Sequence, residues 1–217
     1  MTILSEKQQR LLTELAGEKI ITDHFYFGGG TVLAEYYLHH RYSEDLDFFS
    51  EDEFDPSVVS TVLKKIRAKT KITDVRFEQS FNRNLFFLNI GDETIKTEFT
   101  FFPFPRIESG EVRGLMPIDS LIDIAVNKVF TIFQKPRSRD FVDLYCIIQK
   151  QGWTMSDLTH KAQVKFDTYI DPIQLGAQFV RADEAKDYPR LRIDLAPKVW
   201  QEFFHDEAKK LRTEVLE

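Results

Sequence analysis

Three strand-like runs in close succession, at residues 73–80, 84–90 and 93–102, constrain the fold more than any other feature. The links between them, Asn82-Arg83-Asn84 and Gly91-Asp92, have room only for turns, so the runs should pair as an antiparallel meander. Pro103 and Pro105 end it. Upstream, residues 7–15 read as a short helix, 23–27 as a strand ending at glycines, and 44–50 as a second strand. Between those strands, Thr31 can cap a helix whose apolar side is Val32, Leu33, Tyr36 and Tyr37. Asp55-Pro56 is a helix start, followed by a buried stripe of Val59, Val62, Leu63 and Ile66.

After Leu115 the pattern turns helical, with helices expected at 117–133, 139–150, 156–166, 172–181 and 197–215. The reading is therefore α+β: a small mixed β-sheet core with flanking helices over residues 1–115, then a C-terminal helical lobe over 116–217.

Composition narrows the partners. The chain is 42% hydrophobic with 20 Phe, enough for a real core, yet no run of about 18 apolar residues suggests a membrane span. A formal charge of −6 argues against general coating of nucleic acid. Local basic clusters exist at Lys64, Lys65, Arg67, Lys69 and Lys71, and at Lys135, Arg137 and Arg139; such clusters are ordinarily solvated faces. The start, MTILSEKQQRLL, lacks the apolar stretch of a signal peptide, and the single cysteine, Cys146, sits in an apolar run and reads as core. A reducing cytoplasm is the expected location.

Two carboxylates stand at alternate positions, Asp45 and Asp47, so in a strand they share a face while Leu46 and Phe48 point inward. They would lie about 6.5–7 Å apart along the strand, within reach of one divalent cation or of two bracketed ions. An ordinary amphipathic strand with an acidic outer face explains the same pattern. Alternation in the run 93–102 puts Ile95, Thr97, Phe99 and Phe101 on one face and Lys96, Glu98 and Thr100 on the other. Glu98 completes a three-carboxylate cluster if this strand lies beside the first, and is otherwise a surface Glu near Lys96. Gly29-Gly30-Thr31 stands where a strand gives way to a helix, and glycines at a helix N-terminus let phosphate approach the backbone. The motif is neither a Walker sequence nor GxGxxG.

Taken together, Gly29-Gly30-Thr31, a helix, and then Arg41-Tyr42-Ser43-Glu44-Asp45-Leu46-Asp47-Phe48-Phe49 resemble the AbiEii/AbiGii-toxin-like nucleotidyltransferases, within the DNA polymerase β superfamily. The resemblance extends to Asp123-Ile124-Ala125-Val126-Asn127-Lys128 and to the segment from Arg137 to Tyr145, covering about residues 20 to 150. It implies that Gly29, Gly30 and Thr31 hold the triphosphate of an NTP. Asp45 and Asp47 would bind Mg²⁺, two ions in all, with Glu98 as the third carboxylate helping to deprotonate the attacking hydroxyl. Lys128 and Asp143 match later family motifs that contact nucleotide and order the site, and Arg139 would join Lys128 on the nucleotide. Three departures stand out. Thr31 replaces the usual Ser, 13 residues separate Thr31 from Asp45, and Glu98 stands where Asp is common.

Lys128 has interest of its own, because it interrupts an apolar face formed by Leu121, Ala125 and Ile132. A buried ammonium needs an anion, for which a phosphate or Asp143 would serve, or must snorkel to water, the ordinary explanation. Arg139 and Asp143, four apart on one helix, could equally be a surface ion pair. His39-His40 reads as solvated, and Trp153 and Trp200 as core. The expected activity is Mg²⁺-dependent transfer of an NMP from NTP to an acceptor hydroxyl. A tRNA 3′ end is the first candidate; a protein hydroxyl or an aminoglycoside-like molecule stays open. The family context is a toxin with a cognate antitoxin, linked to growth arrest or phage exclusion. The alternative is a catalytically silent protein on the same fold that binds nucleotide or a partner.

Overall fold

The computed structural model describes residues 2–216 and the side chains of 2–212. The chain forms two compact units, Met1–Tyr37 with Ser43–Leu121, and Leu38–Tyr42 with Ile122–Glu217.

The first unit begins with α1 (Glu6–Ala16), closed by a capping box in which Ser5 and Gln8 satisfy each other's backbone N–H groups. A short α2 (Lys19–His24) follows, and β1 is only Tyr26–Gly28. The strand expected at 23–27 is thus helix over its first residues: Thr22 and Phe25 donate back to Glu18 and Ile21, extending local helical bonds. Residues Gly29–Val32 form α3, capped by Gly28 rather than by Thr31, and the chain continues as a wider π-type turn, Leu33–Leu38. Thr31 cannot be the cap because the glycines already provide the entry, leaving it inside the first turn.

Strand β2 is Leu46–Ser50, and Asp45 therefore precedes it. Helix α4 (Pro56–Thr70) starts as Asp55-Pro56 foretells, with the Asp55 carboxylate accepting from the Ser57 N–H. The meander follows as β3 (Ile72–Ser80), β4 (Arg83–Ile90) and β5 (Glu93–Phe101). The five strands order as β1-β2-β5-β4-β3, with β2 parallel to β5 and every other pair antiparallel. The β2–β5 register sets Phe48 opposite Phe99, and their rings stack at 4.7 Å. Phe25 and Phe86 meet Phe99 edge-on, so the core side of the sheet is an aromatic layer. Alternation sends the neighbouring residues, Asp47 and Glu98, to the opposite face.

The helix expected from Pro117 begins later. Val112–Arg113 (β6) and Met116–Pro117 (β7) make a small ribbon, Ile118 bridges Phe27 in parallel, and the Asp119 N–H donates to the Phe27 carbonyl. Pairing along β1 holds these residues extended, and α5 spans Leu121–Gln134.

The second unit is helical: α5, α6 (Ser138–Gln151), α7 (Met155–Phe166), α8 (Pro172–Val180) and α9 (Pro197–Leu216). Phe141, Phe179, Trp200 and Phe204 are fully buried in it, with Phe204 edge-on to Phe141. Trp153 is only half-buried. No helix among the described residues is long and apolar enough to cross a membrane.

Candidate active site

Sheet register assembles the first group of candidates. Gly28 of β1 pairs with Asp47 of β2, and Asp47 pairs with Glu98 of β5, so glycine turn and two carboxylates lie in one row across the sheet. Adjacent strands are about 4.8 Å apart, so the two residues are direct neighbours across the sheet. Gly29 has φ +71°, and a Cβ there would lie 2.7 Å from Asp47 Oδ2. Only a residue without a side chain leaves that carboxylate room at this position. Gly29→Ala should cost about 1–2 kcal/mol through its left-handed φ and the displaced Asp47; a lower urea midpoint with unchanged slope would register it, and no loss would refute the strain.

Thr31 is fully buried. Its hydroxyl meets Ser43 Oγ and donates to the Asp45 carbonyl, so its side chain ties the glycine turn to the segment that carries Asp45. Gly30 lies half-buried in the same first turn.

Both outer carboxylates are engaged by cations. Lys96 Nζ lies 2.8 Å from Asp45 Oδ2, and Arg83 forks onto Glu98 with Nε at 2.5 Å and Nη2 at 2.6 Å. Thr100 Oγ1 donates to Glu98 at 2.9 Å. Burial pushes the Glu98 carboxyl up, but Arg83, Thr100 and Lys96 outweigh it and hold the group below its ordinary range. The Arg83 guanidinium responds in kind, raised first by its bond to Glu98 and further by the charges of Asp47 and Asp45. Among the described residues, no group of three or more His, Cys, Asp or Glu is placed to hold a metal ion.

The second group lies in the helical unit. Asp143 is completely buried, and it is not a surface partner of Arg139. Arg41 grips it through Nε at 2.6 Å and Nη2 at 2.9 Å, His40 Nε2 lies 2.7 Å from Oδ1, and Lys128 Nζ lies 2.7 Å from Oδ2. Lys128 also donates to Asp140 at 2.7 Å, and Arg137 reaches Asp140 at 3.1 Å. Two carboxylates thus answer the ammonium that interrupts the apolar face, so Lys128 does not depend on snorkelling. Burial raises the Asp143 carboxyl, yet the charges of Arg41 and Lys128 and the bonds from Arg41 and His40 hold it well below the usual carboxylate range. Arg139, half-buried, carries no ion pair among the described residues.

The expectation that His39-His40 is solvated holds for His39 and fails for His40, which is 2% exposed. Residues 38–42 belong to the helical unit although flanked by the sheet unit, and this excursion occupies part of the long gap between Thr31 and Asp45. Nothing local in the sequence marks His40 or Arg41 as partners of a residue about a hundred positions away. Arg83 was hidden similarly, as a turn residue; the hairpin register, Arg83 opposite Thr100, is what brings it diagonally onto Glu98. A further buried pair, Lys165 with Asp123 at 2.6 Å, had no sequence signal. Cys146 is half-buried rather than core, and burial pushes its thiol up to about 12. Of the α4 lysines, Lys65 pairs with Glu18 and Lys69 with Glu14, while Arg67 donates to the Ile72 and Thr73 carbonyls.

Residues 10–215 match the family described as "Nucleotidyl transferase AbiEii toxin, Type IV TA system". The chain belongs to the AbiEii nucleotidyltransferase toxin family. An uncharacterized protein of Aquifex aeolicus (strain VF5) is 30% identical to this AbiEii protein over 216 residues, 97% of this chain and 98% of its own. The crystal structure of JHP933 from Helicobacter pylori superposes with a TM-score of 0.58 at 19% identity, covering 97% of this chain and 94% of that one. A second H. pylori structure gives 0.55 at 20% identity over 99% of both chains. These two structures share the fold of the AbiEii chain, an α+β arrangement with a small mixed sheet.

Proposed function

We propose that this AbiEii-family nucleotidyltransferase works through Asp45 and Asp47, which would hold Mg²⁺ beside an NTP lying against the Gly29-Gly30 turn. The observation that carries the reading is the space between Gly29 and the Asp47 carboxylate, a cradle that a single Cβ would fill. The donor chemistry fits a hard cation, since both residues offer only carboxylate oxygens and Mg²⁺ generally takes one or two of them together with substrate phosphates. Bound there, the ions would supply charge stabilisation to the attacking and leaving oxygens. The first-turn N–H groups of α3 face no intrahelical acceptor and are suited to phosphate oxygens. Thr31 would position Asp45 rather than touch the triphosphate with its hydroxyl. Glu98, held below its ordinary range by Arg83, is a weak base and suits a ligand better than a proton acceptor. Lys128 and Asp143, already joined to each other, would order the helical unit, whereas Arg139 has a guanidinium available for an anionic partner.

The acceptor we favour is a tRNA 3′ hydroxyl, for which Lys135, Arg137 and Arg139 offer positive charge, and the setting a cytoplasmic toxin with a cognate antitoxin and a role in growth arrest or phage exclusion. The engagement of Asp45 and Glu98 by Lys96 and Arg83 favours a second reading, nucleotide binding without transfer. One experiment separates them: protein, Mg²⁺, each α-labelled NTP in turn and deacylated tRNA or whole-cell lysate, with an Asp45→Asn/Asp47→Asn variant alongside. Label on RNA, absent with the variant, is the expected result. Label on another acceptor would replace tRNA, and nucleotide binding with no label anywhere would favour the silent alternative.

A further inference from the structure

Arg83 and Lys96 are the unexplained part of the carboxylate face. Both lie on the face of the sheet that carries Asp47 and Glu98, and both are aimed at its carboxylates. Lys96 Nζ stands between Asp45 at 2.8 Å and Glu98 at 3.8 Å, while Arg83 saturates both Glu98 oxygens. The partly exposed Lys96–Asp45 pair adds little to stability, whereas Arg83 compensates a carboxylate that is itself buried. Their exposure also differs from that of the group they hold: the Arg83 side chain is 55% exposed and that of Glu98 only 9%. The guanidinium approaches from the solvent side, so its withdrawal into water would leave the buried Glu98 carboxylate to Thr100, to Lys96 and to any ion that takes its place.

We propose that Arg83 and Lys96 are built-in counterions that hold the carboxylate site together without an ion and compete with a divalent cation for it, so that they set its metal affinity. The inference rests on the reading that Asp45 and Asp47 hold the ion. With Lys96 on Asp45 and Arg83 on Glu98, an arriving ion meets carboxylates whose charge is already partly offset, a weaker attraction. Removing either cation lifts part of that offset. Both residues act through the carboxylates and are positioning residues, not catalytic ones.

The test is Mn²⁺ binding to the full chain without nucleotide, read as the free-ion paramagnetic resonance signal, for wild type, Arg83→Gln, Lys96→Gln, Arg83→Lys and Asp45→Asn/Asp47→Asn. Arg83→Gln and Lys96→Gln should each bind Mn²⁺ about tenfold more tightly than wild type, the order expected for one charge removed beside a divalent ion at a partly solvated site. Arg83→Lys, which keeps the charge, should stay near wild type, and a purely structural role would instead weaken binding in every Arg83 variant. Unchanged or weaker binding in both glutamine variants, while the double Asn variant still loses Mn²⁺, would overturn the counterion role and leave the ion site standing. Mn²⁺ binding that the double Asn variant does not diminish would overturn the ion site and the inference with it. Two independent glutamine variants guard against one failing to fold.

Discussion

Asp47→Asn is expected to reduce nucleotidyl transfer about a thousandfold with the fold intact, the scale of losing a central electrostatic group in a preorganised site. Asn keeps the shape of Asp47 and its place opposite Glu98, but removes the charge beside Gly29. Glu98→Gln should cost much less, because Arg83 already neutralises that carboxylate. Single-turnover rates with saturating NTP would compare the two directly. Equal losses would return Glu98 to the role of essential base, and no loss at Asp47 would remove the catalytic reading of the row.

Asp143→Asn should destabilise the protein by about 3–5 kcal/mol, the cost of stripping one partner from a buried ion cluster. Arg41, 3% exposed, would lose its bidentate carboxylate, and Lys128 would be left with Asp140 alone. The direction with pH follows from the depressed carboxyl. Its contribution is fully present above the ordinary unfolded value of 3.8 and is lost as pH falls through the still lower folded value. Asp140, where burial raises the carboxyl and Lys128 and Arg137 more than offset it, behaves in the same sense. Urea unfolding of wild type and variant should therefore differ near neutral pH and converge in strong acid, below the ordinary carboxylate range. A difference under 1 kcal/mol at pH 7 would show that the cluster does not hold the helical unit.

What could be read from the chain was whatever is encoded within a few residues. Asp55-Pro56 starts a helix wherever it lies, since the carboxylate reaches the Ser57 N–H two residues on. Alternation in the run ending at Phe101 assigns Phe99 inward and Glu98 outward without knowledge of any neighbour. The Gly29–Thr31 turn and the Asp45–Asp47 pair were visible for the same reason, as was the resemblance they carry. Local order also misled: Pro117 reads as a helix start, yet the next residues pair along β1, a competitor about ninety positions away.

Only tertiary structure decided which groups meet. That β5 runs parallel to β2, with Glu98 opposite Asp47, depends on strand order and register, which periodicity does not specify. Arg83 and Lys96 look like solvated residues until that register turns them onto the carboxylates. His40 and Arg41 look like the polar end of a helix until a buried Asp143 claims them across about a hundred residues. A buried charge must find its partner wherever the fold has one. The sequence by itself therefore determined most of the elements, the family and the outward-facing acids. The packed chain determined which cations answer them, because side-chain pairing is set by distance in space.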